Sequence, residues 1–140
     1  MEIMENLEES GVIPARPVPK KYIPAILYLA ENMSKADKEI ASSERVIINE
    51  LADAAKIKDF RHTKDYQALN ESKAIEALEV DLARLATLVV ISLVLKSDSK
   101  RKHTEHDYFT RIREKMNMAP ITVPLGFEAH KSLALKYFSR

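Results

Sequence analysis

The stretch LARLATLVVISLVL, residues 82–95, decides the fold. Its apolar residues are not confined to one face at three-and-four spacing. They run nearly all round, the mark of a helix enclosed by other helices. The run Leu88–Leu95, broken only by Ser92, falls well short of the ~20 apolar residues that cross a bilayer. Such a helix needs a shell, and the flanking sequence supplies one. Tyr22, Ile23, Ile26, Leu27, Ala30 and Met33 form one helical stripe, with Pro24 tolerable in a first turn. A second helix is predicted over Ser43–Ile57, with Ile47, Ile48, Leu51 and Ala55 facing inward. Residues 59–70 are more polar and read as a short helix anchored by Phe60, Tyr66 and Leu69. Asn70 or Ser72 caps a helix carrying Ile75 and Leu78, which continues or breaks near Val80. Thr104 with Asp107 forms an acidic capping box for a helix ending near Met118, ahead of Pro120 and Pro124. A last amphipathic helix spans Phe127–Phe138. β-branched alternation is nowhere sustained. The expectation is an all-α, single-domain bundle of six or seven helices around a buried central one.

The chain has 140 residues, enough for one core without staples, and no cysteine, which excludes disulfides, thiolate metal sites and cysteine nucleophiles. The absence of cysteine fits a reducing compartment. Residues 1–20 read as an arm, because Gly11, Pro14, Pro17 and Pro19 prevent a helix through its second half; it is either a loose terminus or packs back onto the domain at 21–140 or onto a partner. Met1–Ser10 is acidic and unlike a secretory signal, so a soluble chain is expected. Lys and Arg total 22 against 21 Asp and Glu, so no global field draws nucleic acid or acidic lipid. Two glycines, Gly11 and Gly126, cannot build a phosphate-binding loop or a nucleophile elbow.

Residues 28–57 laid over 89–118 reveal an internal repeat at an offset of 61. Asp37 falls on Asp98, Ser43 on Thr104 and Glu44 on Glu105. The apolar pairs Ile47–Tyr108, Ile48–Phe109, Leu51–Ile112, Ala55–Met116 and Ile57–Met118 coincide as well. Ser43 and Thr104 are placed to cap their helices, and Glu44 and Glu105 to sit in first turns where the helix dipole favours a carboxylate. That already accounts for both glutamates structurally, and Asp37 and Asp98 suit ordinary turns.

The segments MSKADKEIASSERVIINELADAAKI and LVLKSDSKRKHTEHDYFTRIREKMNM resemble the tellurite-resistance TerB family, in which two helix–loop–helix halves each carry an Asp-Gly loop followed by a Glu that opens the next helix. The resemblance covers residues 22–118; Lys38 and Ser99 stand where the family has its glycines. It implies a compact helical module of stress-response and tellurite-resistance systems. Such a module is a cytoplasmic or membrane-peripheral, non-enzymatic binding protein, with protein partners that include membrane-associated stress proteins. It also implies divalent metal at the acidic loops of some members.

The first loop offers Asp37, Glu39 and Glu44 to a hard cation such as Ca²⁺ or Mn²⁺, which wants six or more oxygens. The second offers Asp98 and Glu105, but Lys100, Arg101 and Lys102 between them compete with a cation. If the two loops lie together, the four repeat-related acids converge. A softer site for Zn²⁺ or Ni²⁺ is His103, His106 and Asp107, although histidines at a helix start are ordinarily polar surface. His62 with His106-Asp107 matches the start of a histidine–aspartate phosphohydrolase pattern, but no Asp follows Asp107 to complete it. The basic run 100–103 with Arg111, Arg113 and Lys115 is balanced by Glu105, Asp107 and Glu114, which reads as a mixed solvated face and not a nucleic-acid surface. The competing expectation is a metal-free adaptor or homodimer that binds through the arm or through Phe127, Leu133, Leu135 and Phe138.

Overall fold

The computed structural model describes residues 16–35, 42–97, 103–121, 123–124 and 126–140, the side chains of 33–35, 42–43 and 103–106 excepted. The described residues form seven α-helices and no strand: α1 (Ile23–Lys35), α2 (Ser42–Ala54), α3 (Lys64–Gln67), α4 (Glu71–Ala77), α5 (Asp81–Ser97), α6 (His103–Lys115) and α7 (Phe127–Phe138). Short 3₁₀ turns at Lys20–Tyr22 and Phe60–His62 precede α1 and α3. None of the described helices is long and apolar enough to cross a membrane.

Helix α5 is the axis of the bundle, as its all-round apolarity demands. It packs against α1, α2, α6 and α7. Leu85, Leu88, Val89, Val90, Ile91, Leu93 and Val94 are fully enclosed. Each such side chain contributes roughly 1.5–3 kcal/mol relative to exposure. Ala83 and Ala86, also enclosed, let neighbouring helices approach closely. The buried Thr87 hydroxyl donates to the Ala83 carbonyl at 2.8 Å, so its polarity costs little. Before α5, the chain breaks at residues 78–80, where Arg84 Nε donates to the Leu78 carbonyl at 2.7 Å.

The 61-residue repeat is present in three dimensions. Adding 61 to the bounds of α2 gives those of α6, from Ser42–Ala54 to His103–Lys115. Both helices end in the same hydrogen bonds: Lys56 N to Asp53 O and Ile57 N to Ala52 O in the first, Asn117 N to Glu114 O and Met118 N to Arg113 O in the second. This is the left-handed helix stop in which C″ bonds back to C3. It places Lys56 at φ 59° and Asn117 at φ 60°. Helices α1 and α2 pack together, α5 and α6 pack together, and α2 also reaches α5 as α6 reaches α1. Both helices begin one residue before the expected caps, so Ser43 and Thr104 lie inside first turns.

The other elements close this two-halved core. Within residues 16–19, Val18 is buried and its N–H donates to the Tyr137 carbonyl at 3.0 Å, so this part of the arm packs back onto α7. The rest of the arm lies outside the described residues. Helix α7 has the bounds expected and packs on α5 and α2. Lys96 Nζ donates to the Pro124 carbonyl at 2.7 Å, fixing the connector that leads into it. The polar stretch after α2 resolves into the Phe60–His62 turn and α3, with Phe60 and Tyr66 buried as anchors. Asn70 caps α4, its side chain accepting from Lys73 N at 2.8 Å.

Candidate functional site

Of the acids singled out as metal ligands, Asp37, Glu39 and Asp98 lie outside the described residues. Glu105, His103 and His106 lie in the first turn of α6, where the backbone alone is described, and Asp107 is exposed. Glu44 is different. It occupies the first turn of α2, is 1% exposed, and is engaged in an interaction within the fold. A first-turn carboxylate serving only as a solvated complement to the helix dipole has no need of such burial. Glu44 and Glu105 are the third residues of two equivalent helices. Among the described residues no group of three or more His, Asp or Glu is arranged to hold a metal ion.

The basic face of α6 is spent internally. Arg111 Nη2 and Lys115 Nζ each lie 2.6 Å from a different oxygen of Glu71 on α4. Burial alone would raise Glu71, but hydrogen bonds from Lys115 and Arg111, and their charges, hold it below the usual carboxylate range. Arg113 Nη1 caps the Met118 carbonyl at 3.0 Å.

A polar cluster that the sequence analysis did not single out lies between α1, α2 and α3. Glu31 of α1 is 3% exposed and both its oxygens are engaged. Oε1 accepts from Arg61 Nε at 2.5 Å and Oε2 accepts from the Tyr66 hydroxyl. Arg61 Nη1 donates to Asn49 Oδ1 at 3.2 Å, and its guanidinium carbon lies 4.3 Å from the Phe60 ring centre. Tyr66 packs edge-on against Tyr28 and Phe60, with centroids 5.6 and 5.3 Å apart. Burial, and then the Glu31 carboxylate beside it, push the Tyr66 phenol well above its ordinary range. Each Glu31 oxygen is thus tied into the cluster by one hydrogen bond.

Arg61 forms one wall of an open cleft of about 440 Å³ between the end of α2 and the Phe60–His62 turn, lined also by Asn49, Asp53, Lys58, Asp59 and Phe60. A second depression of about 340 Å³ shares Asp53, Ile57 and Lys58 and adds Lys56. Asp59 adopts φ 49°, which turns the chain so that Phe60 enters the core while Arg61 returns over α2. Its repeat counterpart is Pro120, which cannot take that conformation. The cleft is lined by residues of the first half, with charges of both signs at its rim.

His130 is the second group that the sequence analysis left aside. It is completely buried where α7 meets α5, and its Nε2 lies 2.9 Å from the Val89 carbonyl. Nδ1 is enclosed and has no hydrogen-bond partner among the described residues. Burial, with the Lys96 charge adding to it against the Val89 carbonyl, brings the imidazole down to about 4.

Neither a family model, nor a curated protein, nor a solved structure matches the chain.

Proposed function

We propose that this chain is a non-enzymatic, TerB-like helical binding module of a stress response, whose first acidic loop answers to a divalent cation. The single observation that carries the reading is Glu44, a carboxylate drawn to 1% exposure at the start of α2. The two-halved architecture supports it, since α2 and α6 each present a glutamate at the same helical position after a loop. Asp37 and Glu39 are the first-loop residues that would join Glu44, and Asp98 with Glu105 the second-loop set. A hard cation, Ca²⁺ or Mn²⁺, suits these oxygens; Zn²⁺ would favour His103, His106 and Asp107. The module would act in the cytoplasm or at a membrane surface through a protein partner.

The test is a thermal-shift series on chelator-treated protein with Ca²⁺, Mg²⁺, Mn²⁺, Zn²⁺ and Ni²⁺. A ligand at 100 times its dissociation constant adds about 2.7 kcal/mol to the folded state. Stabilisation by Ca²⁺ or Mn²⁺ that disappears in Asp37→Asn and Glu44→Gln is expected. Stabilisation by Zn²⁺ or Ni²⁺ alone would move the site to His103 and His106, and no response to any ion would remove the metal.

One observation favours a second reading, a metal-free adaptor or homo-oligomer. The Arg61 cleft is open, polar and of a size that accepts a partner's side chains. That reading expects partner capture or self-association to depend on Lys58→Glu, a change at an exposed rim position, and to be indifferent to chelator.

A further inference from the structure

Helix α7 stands outside the 61-residue repeat: α1 with α2 and α5 with α6 make their mutual contacts without it. Its seat against α5 contains a built-in conflict. His130 is fully enclosed, and its Nε2 faces the Val89 carbonyl at 2.9 Å, an arrangement in which Nε2 carries the proton and donates. Nδ1 is then a bare lone pair, sealed from solvent and without a hydrogen-bond partner among the described residues. A neutral ring tolerates this; a protonated one does not, because its second N–H would be buried without an acceptor and its charge without a counter-ion.

The charged groups around the seat offer no relief. On α5, Lys96 acts on the ring as a cation. On α2, Glu50 is held at 2.6 Å by Lys131, the residue next to His130. On α7 itself Glu128 and Lys136 are exposed. At the far end, Arg140 donates to the Val18 carbonyl, and residues 16–19 (Arg-Pro-Val-Pro) carry no acidic side chain.

We propose that α7 is an acid-released clasp: protonation of His130 lifts the helix off α5 and α2 while the two-halved core stays folded. Released, α7 would bare Ala134, Tyr137 and Phe138 together with the α5 face that they cover. The size of the effect follows from linkage. In the released helix the ring titrates at its ordinary 6.5, in the seated helix at about 4, so release binds the proton more tightly. The release equilibrium therefore rises about 20-fold between pH 7 and pH 5, towards a limit of about 240-fold well below pH 4.

The experiment is amide hydrogen exchange by NMR on the whole chain from pH 7 to pH 5, corrected for the intrinsic rate. Helix α7 should lose protection about 20-fold while α1 and α5 hold theirs, and His130→Gln should remove that dependence. Glutamine keeps an N–H for the Val89 carbonyl and does not titrate. Equal loss of protection in α7 and α5, or the same pH dependence in His130→Gln, would overturn the proposal. Should that variant fail to fold, the ring-carbon titration of His130 in the unaltered protein decides: a midpoint well below 6.5 supports the clasp, and an ordinary one refutes it.

Discussion

Replacing Arg61 by alanine strands the Glu31 carboxylate, which is 3% exposed and left with the Tyr66 hydroxyl alone. Removing one partner of a buried ion pair typically costs about 3–5 kcal/mol. Arg61 is itself 35% exposed, so water screens the pair and enters the gap, which lowers the expectation to about 2–3 kcal/mol. That figure includes roughly 0.5–1 kcal/mol for the cation lost from the Phe60 face. For a chain of 140 residues the unfolding entropy makes this a fall of about 8 °C in Tm. Urea unfolding followed by far-UV circular dichroism should show a lower midpoint with the slope unchanged. The decisive comparison is the double variant Glu31→Leu, Arg61→Ala. With no charge left to strand, it should cost no more than Arg61→Ala alone. An Arg61→Ala cost below about 0.5 kcal/mol, or a double variant equal to the sum of its singles, would refute the reasoning.

Three further outcomes are expected. Lys56→Gly should stabilise by about 0.5–1 kcal/mol, since glycine relieves the left-handed φ of 59°, whereas Asn117→Gly should gain less because asparagine already tolerates it; thermal unfolding distinguishes them. Leu88→Ala, a cavity on the enclosed face of α5, should cost about 2–5 kcal/mol by urea unfolding. Glu71 titrates below its unfolded value, so its ties to Arg111 and Lys115 should stabilise the protein above the ordinary carboxylate range and fade as pH falls through the lowered value. Their contribution, at most about 1 kcal/mol at a site half open to solvent, should shrink in high salt, as read by comparing Glu71→Gln with the unaltered protein.

The helices were legible because burial here follows helical phase. Phe127–Phe138 emerged with its bounds intact, and the enclosure of residues 82–95 followed from their lack of a polar face. The starts of α2 and α6 came one residue before the expected caps, because local pattern fixes a helix end only to within a residue or two. Phase also carried the missed groups. Glu31 stands four residues after Leu27 and eight after Ile23, on the buried stripe, and His130 stands four before Ala134 and seven before Tyr137. A polar residue at a buried phase needs a partner, but Arg61, 30 positions on, and the Val89 carbonyl, 41 positions away, are brought there by tertiary folding alone. The acidic loops were legible as a motif, whereas the burial of Glu44 was not, because its helix position is equally suited to solvent.

A chain built from two like halves faces an ambiguity while it folds: α6 has the length and the helix stop of α2 and competes for its place. Glu31 breaks the tie. The position 61 residues later is Ser92, which carries no charge, while Glu31 is satisfied only when the connector after α2 brings Arg61 and Tyr66 to it. Any exchanged pairing that separates α1 from its own connector leaves a carboxylate in an apolar seat, at a cost of several kcal/mol. The buried charge thus works as a proofreader, setting the native pairing of two similar helices apart from the exchanged one.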